Sequence, residues 1–246
     1  MKKQEVIHTD LGLIAYKNSW DLQEKLMQEN LAAKQVHKQT EQDNSVISQP
    51  IHTTHHFLLC EHPPVYTLGR NGDANNILIS AQQLRDEQIE YYKINRGGDI
   101  TFHGPGQIVG YPILDLEKFY TDIGRYIYSL EEVIIRSLAA YGIIGGRSKG
   151  ETGVWLDAAI PSKARKICAI GIRCSRWITM HGFALNVNTQ LDYFNNIIPC
   201  GIADKQVTSM HKELGAEVSL ESVKETIVRE FETIFGVAIL QAKYAG

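Results

Sequence analysis

YYKINRGGDITFHGPGQIVGYPILDL (Tyr91–Leu116) is the stretch on which the reading of this chain turns. Its centre, Arg96–Gln107, carries four glycines, a proline, an arginine and a histidine. Such density belongs where a backbone turns sharply or lets a ligand come close. The polar run YYKIN before it and the apolar run IVGYPILDL after it read as strands. The order is therefore strand, glycine loop, strand. A phosphate-binding loop would lead into a helix, whose N-terminus supplies the anion site. Gly97-Gly98 also fits neither GxGxxG nor GxxxxGK[ST]. Two readings stay open at this point, a decorated hairpin connection or one wall of a substrate pocket.

Further strand-like runs lie at Leu11–Ala15, His56–Cys60, Gly153–Leu156, Lys166–Ile172 and Phe183–Val187. Helical spacing predicts helices over Trp20–Gln35 behind a Ser19 cap, over Asp122–Tyr141 stopped by Gly142, and over Leu220–Phe235 behind Ser219. Ser80 and Gln83 form a capping-box pair for a short helix. Strands and helices mix without strict alternation, which predicts an α/β (α+β) fold with one mixed β-sheet flanked by helices. The polar stretch Val36–His55 lacks periodicity and reads as an exposed connection.

The chain has 246 residues, enough for one large domain with a full core. A net charge of −3 gives no basic excess that would favour nucleic acid. No apolar run reaches the ~18 residues of a membrane span, and the N-terminus lacks the apolar core of a signal peptide. Cys60, Cys168, Cys174 and Cys200 are too few for a disulfide framework. Free thiols in a reducing cytoplasm are expected.

One of those thiols is placed for chemistry. Cys200 sits in Ile198-Pro199-Cys200-Gly201-Ile202, on a tight turn between a proline and a glycine, where Cys60 and Cys168 lie inside apolar strands. An accessible thiolate is a nucleophile, and a nearby cation lowers its pKa. Lys166, at the mouth of a buried strand, is either that cation or a snorkelling surface lysine. Lys163 and Arg165 read as surface charges. His103 and His181 are either general bases or polar wall residues. His52, His55 and His56 cluster without metal-ligand spacing, and Cys168 and Cys174 lack a CxxC partner.

RGGDITFHGPGQ followed by Tyr111, then KICAIGI (Lys166–Ile172), HGFALNV (His181–Val187) and PCGI (Pro199–Ile202), occur in an order that resembles the lipoyl(octanoyl) transferases. EHPPVYTLGR (Glu61–Arg70) and VTSM (Val207–Met210) extend the match, which runs from about Leu11 to Phe235. The resemblance implies the fold of the biotin and lipoate protein ligases, in a single domain over 1–246 with a polar insertion at 36–55. It implies that an octanoyl group passes from acyl carrier protein to a lysine of lipoyl domains, in oxoacid dehydrogenase E2 subunits and the glycine cleavage H protein. This is the first step of endogenous protein lipoylation. Cys200 would carry the acyl thioester and Lys166 would lower its pKa. Arg96, Gly97, Gly98, Asp99, Ile100, Thr101, Phe102 and His103 would line the substrate site. Ala169, Ile170, Gly171, Gly182, Phe183 and Ala184 would complete it. No metal and no ATP would be needed, and a cytoplasmic monomer is expected. Two other readings share these residues. An ATP-dependent lipoate or biotin ligase would use Lys166 but needs no thiol. A non-catalytic binding protein would need neither Cys200 nor Lys166.

Overall fold

The computed structural model describes residues 3–42, 52–198 and 206–244. In chain order the elements are β1 (Glu5–Leu13), α1 (Tyr16–Gln42), β2 (His55–Glu61), β3 (Val65–Leu68), α2 (Ala81–Asp86), β4 (Glu90–Lys93), β5 (Ile100–His103) and β6 (Gln107–Ile113). They continue with α3 (Ile123–Ala139), β7 (Gly146–Ser148), β8 (Glu151–Leu156), β9 (Arg165–Ser175) and β10 (Ile178–Asn186). The last are β11 (Gln206–Val207), α4 (Met210–Leu214), α5 (Leu220–Phe235) and β12 (Ala238–Lys243).

The main sheet runs β12-β1-β2-β6-β10-β9-β8-β7, with β11 paired to β9. It is mixed: β12, β1 and β2 are parallel, and from β2 to β7 the neighbours along that order are antiparallel. A second small sheet has the order β4-β3-β5. Helices α3 and α5 cover one face of the main sheet. There Phe231 stacks on Phe57 with ring centroids 4.2 Å apart, beside buried Leu130, Ile134 and Phe183. Helix α1 covers the other face, packing Met27 and Leu26 against Leu58, Val109, Tyr111 and Met180. This is the α/β architecture that the strand and helix patterning predicts.

Three helix starts match their sequence signals. The Asp122 carboxylate accepts from the Arg125 amide, and the Ser219 hydroxyl accepts from the Ser222 amide. Ser80 and Gln83 make a reciprocal capping box.

Other expectations are corrected. Ser19 does not cap α1; the helix begins earlier, at Tyr16, and the Ser19 hydroxyl donates to the Tyr16 carbonyl at 2.8 Å inside it. The stretch read as an exposed connection over Val36–His55 is helical through Gln42, and His55 opens β2. Its Lys, Gln and Glu residues lack an apolar face but are strong helix formers. Residues 43–51 lie outside the described residues. The glycine-rich stretch is likewise not one loop. Ile100–His103 within it forms β5, paired with β3 in the small sheet, so turns stand on either side of a short strand.

Candidate active site

A cavity of about 610 Å³ lies between the glycine-rich stretch and strands β9 and β10. Register fixes its wall. Gly182 stands opposite Gly171, Phe183 opposite Ile170 and Ala184 opposite Ala169. The Gly182–Gly171 and Ala184–Ala169 pairs keep two steps of this wall narrow. A Cβ on Gly171 would sit 2.7 Å from the Gly97 carbonyl oxygen, and one on Gly182 would overlap the Gly110 carbonyl. The Gly97 amide donates to the Ile172 carbonyl at 2.9 Å, so the glycine turn is laced directly to β9. Only residues without a Cβ permit this approach.

The lining divides by polarity. Val109, Ile127, Ile170, Ile172 and Phe183 supply an apolar surface, and Arg96, His103, Gln107, His181 and Asn186 supply a polar one. Arg96 is 9% exposed. Its Nη2 donates to the Thr67 carbonyl at 2.8 Å and the Thr67 hydroxyl at 3.0 Å, and its Nη1 donates to the Gly97 carbonyl at 3.0 Å. These bonds offset the cost of burying its charge. Asp99 holds the turn from its other side, accepting from the Ile100 amide at 2.7 Å and from Asn76 Nδ2 at 2.6 Å.

Two histidines stand in this polar part. His103 lies flat against Tyr16, with ring centroids 5.8 Å apart and 9° between planes. Its Nδ1 meets Gln107 Oε1 at 2.8 Å and its Nε2 meets Thr67 Oγ1 at 3.3 Å. Burial, with His62 and Arg96 nearby, holds its pKa at about 3. His181 adopts φ +58° on β10, a left-handed conformation uncommon outside glycine. Its amide donates to Gln23 Oε1 at 3.1 Å, and its Nε2 donates to Asn95 Oδ1 at 3.2 Å. Burial, reinforced by Arg96 and Arg173, lowers its pKa to about 3. Both rings are neutral at physiological pH.

Lys166 is on the cavity wall, partly buried, with Nζ 4.6 Å from the centroid of the Trp155 ring. It does not snorkel away from the site. Strand β11 pairs beside it, Val207 against Lys166, and the Thr208 amide donates to the Lys166 carbonyl at 2.9 Å. Arg165, read from sequence as a surface charge, is engaged instead. It makes a two-pronged bond to Glu213 at 2.7 and 2.6 Å and reaches Asp157 at 2.5 Å. That clamp fastens α4 to β9, next to Lys166.

The structure thus brings Arg96, Gly97, Gly98, Asp99, Ile100, Thr101 and His103 to one cavity with Lys166, Ala169, Ile170, Gly171, Gly182, Phe183 and Ala184. Phe102 is placed elsewhere. Alternation along β5 turns its ring away, stacked on Tyr193 at 4.5 Å and packed on Tyr66 and Phe194. Cys200 lies outside the described residues. Tyr16, Gln107, Trp155 and Asn186 also line the cavity and were not singled out from sequence. Gln107 and Asn186 are polar residues inside two of the quoted motifs, and that membership is the signal that could have found them. Tyr16 and Trp155 carry no such signal. Among the described residues no group of three or more His, Cys, Asp or Glu is arranged to hold a metal ion, and no helix is long and apolar enough to cross a membrane.

Comparison with known proteins identifies the family and the fold. The lipoyl protein ligase A/B catalytic domain model matches residues 15–232. An octanoyltransferase from Flavobacterium psychrophilum is 55% identical over 232 residues, 94% of this chain and 97% of the relative. One from Christiangramia forsetii is 53% identical over 233 residues, 94% of this chain and 96% of the relative. Among solved structures, lipoate-protein ligase A bound with ATP superposes with a TM-score of 0.64 at 14% identity, covering 100% of this chain and 90% of the other. A bipartite lipoate protein ligase from Thermoplasma acidophilum gives 0.66 at 14%, covering 100% and 88%. These two likenesses establish the fold alone. Sequence relatives of this closeness, matched over 94% of the chain, make it a member of the lipoyl protein ligase A/B catalytic-domain family and, within it, of the octanoyltransferases.

Proposed function

We propose that the chain moves an octanoyl group from acyl carrier protein to the ε-amine of a lipoyl-domain lysine through a thioester on Cys200, with Lys166 lowering the pKa of that thiol and shuttling the proton. The observation that carries the reading is the pairing of Val207 with Lys166. The chain that bears Cys200 rejoins the sheet at the strand whose lysine faces the cavity. On the near side, the Ile198 amide donates to the Asn76 carbonyl at 2.8 Å, which anchors the chain just before that cysteine.

In the first step the Cys200 thiolate attacks the thioester carbonyl of the donor. A new C–S bond forms, the old one breaks, and the carrier thiol leaves with the proton that the Lys166 ammonium gives up. One thioester replaces another, so no ATP is required. In the second step the lysine amine attacks. A C–N bond forms, the C–S bond breaks, and the amine's surplus proton passes to Lys166 as Cys200 regenerates its thiolate. An amide is more stabilised than a thioester, which drives the sequence forward. The apolar lining suits the chain: at ~0.8 kcal/mol per methylene, burying an octanoyl tail contributes about 5 kcal/mol.

The test is incubation with octanoyl-acyl carrier protein without ATP, followed by peptide mass mapping. An octanoyl increment on the Cys200 peptide is expected, and Cys200→Ser should abolish transfer. Normal transfer by that variant would overturn the reading. The ATP-dependent ligases that share the fold supply the alternative, which predicts transfer from free octanoate only when ATP is added.

A further inference from the structure

A chain of hydrogen bonds crosses the polar side of the cavity with all its donors pointing one way. It starts at Arg96, which can only donate and gives Nη2–H to Thr67 Oγ1 at 3.0 Å. The Thr67 hydroxyl is then free to give its own proton to His103 Nε2 at 3.3 Å. His103 Nδ1 stands 2.8 Å from Gln107 Oε1. Gln107 Nε2 donates twice, to the Phe102 carbonyl at 3.1 Å and to Asn186 Oδ1 at 2.9 Å. Asn186 Nδ2 donates to the Thr208 carbonyl at 3.0 Å. The chain therefore ends on a group that can only accept. A permanent cation at one end and a backbone carbonyl at the other leave one self-consistent direction.

The direction decides an otherwise open proton position. With both Nε2 protons of Gln107 committed to carbonyl oxygens, its Oε1 must accept. His103 Nδ1 must then carry the imidazole proton, and Nε2 must keep its lone pair for Thr67. Each of these residues is nearly inaccessible to solvent: Thr67 0%, His103 6%, Gln107 1%, Asn186 4% and Thr208 0% exposed. Reversing one link would bring two acceptors or two donors together.

We propose that Gln107 is a positioning residue that locks His103 as the neutral Nδ1–H tautomer, so that the ring serves as a wall of the acyl slot and not as a base. This rests on the acyl-transfer reading above, and it leaves proton transfer to Lys166. The same chain ties the slot to the catalytic strand, since Thr208, its last member, donates its amide to the Lys166 carbonyl at 2.9 Å. The charged and titratable groups around His103 are Arg96, His62, His181 and the Tyr16 phenol.

The proposal is tested first on the unsubstituted protein, labelled with ¹⁵N-histidine and assigned by the signals missing from a His103→Asn variant. Long-range ¹H–¹⁵N spectra should show His103 as the Nδ1–H form, with no titration from pH 5 to 8. An Nε2–H form, or titration in that range, would overturn the proposal whatever the activity is. Gln107→Glu is the second arm. A carboxylate beside Nδ1–H favours the imidazolium, so His103 should begin to titrate within that range. Transfer should drop about tenfold at neutral pH, the scale of one lost buried hydrogen bond, and recover as pH rises. A loss independent of pH, with His103 still not titrating, would also overturn it. Gln107→Met covers poor folding of the charged variant: it should give a mixture of tautomers, and retention of pure Nδ1–H with normal transfer would refute the role. A thioester missing from Cys200 in a protein with the expected tautomer would count against the acyl-transfer reading alone.

Discussion

The Lys166 ammonium lies 4.6 Å from the centroid of the Trp155 ring, and the two residues are register partners across β8 and β9. A cation over an indole face is held at ~0.5–2 kcal/mol without a carboxylate. The Trp155 ring thus steadies the amine, and among the described residues no carboxylate forms an ion pair with it. Trp155→Leu should keep the fold and cut acyl transfer by about tenfold, the middle of that energy range. Lys166→Ala should remove most activity and raise the apparent pKa at which Cys200 reacts with iodoacetamide. Alkylation rates against pH, measured on all three proteins, check both effects.

On the cavity wall, Gly171 and Gly182 have no room for a methyl group. A Cβ on Gly171 meets the Gly97 carbonyl at 2.7 Å and Arg96 Cδ at 3.2 Å, and one on Gly182 meets Pro112 Cδ at 2.8 Å besides the Gly110 carbonyl. Backbone cannot swing aside as a side chain can. Each alanine variant should lose about 1–3 kcal/mol in urea unfolding. Gly171→Ala should lose transfer beyond what its stability explains, because the displaced groups are Gly97 and Arg96.

Acid should unfold the protein earlier than its carboxylates alone would require. Burial lowers the folded-state pKa of His55 and His62 to about 4 and of His103 and His181 to about 3. A histidine held neutral in the fold but free to protonate when unfolded stabilises the protein above pH ~6.5 and progressively less below it. By pH 5 each such group has forfeited about 2 kcal/mol, 1.5 pH units at ~1.36 kcal/mol. The urea midpoint should therefore fall steeply from pH 6.5 to 5 and stay nearly level from 7 to 8. His55→Gln, whose ring lies outside the cavity, should flatten the slope.

Cys60 and Cys168 should be inert. Both are fully buried in strands, and desolvation pushes both thiols upward in pKa. Iodoacetamide on the native protein at pH 8 should leave their peptides unmodified, and labelling should appear once urea is added. Modification of either in native buffer, read by peptide mass mapping, would contradict this placement.

The residues of the cavity wall were legible in the sequence because glycine is informative where backbones touch. Gly97, Gly171 and Gly182 occur in short motifs, and register brings those motifs together. The caps at Ser219 and Ser80 were legible because a single side chain satisfies a nearby amide. The length of α1 was not. Its last turns follow from the helix propensity of lysine, glutamine and glutamate, which leaves no periodic trace. Phe102 was misread because a motif does not say which way alternate side chains of β5 point. Arg165 looked like a surface charge because its partner, Glu213, comes from a helix far along the chain. The hydrogen-bond chain through Thr67, His103, Gln107 and Asn186 joins four separate strands. No local pattern predicts a network whose members meet only after the sheets have formed.

The contacts of Gly171 with Gly97 and of Gly182 with Gly110 have one more consequence. A wall made of peptide units has no rotamers, so its width does not fluctuate with side-chain hopping and cannot expand to admit a thicker guest. On the acyl-transfer reading, a straight acyl chain is expected to fit along such a surface and a methyl branch to strike it. Selection by cross-section would then be set by the backbone itself.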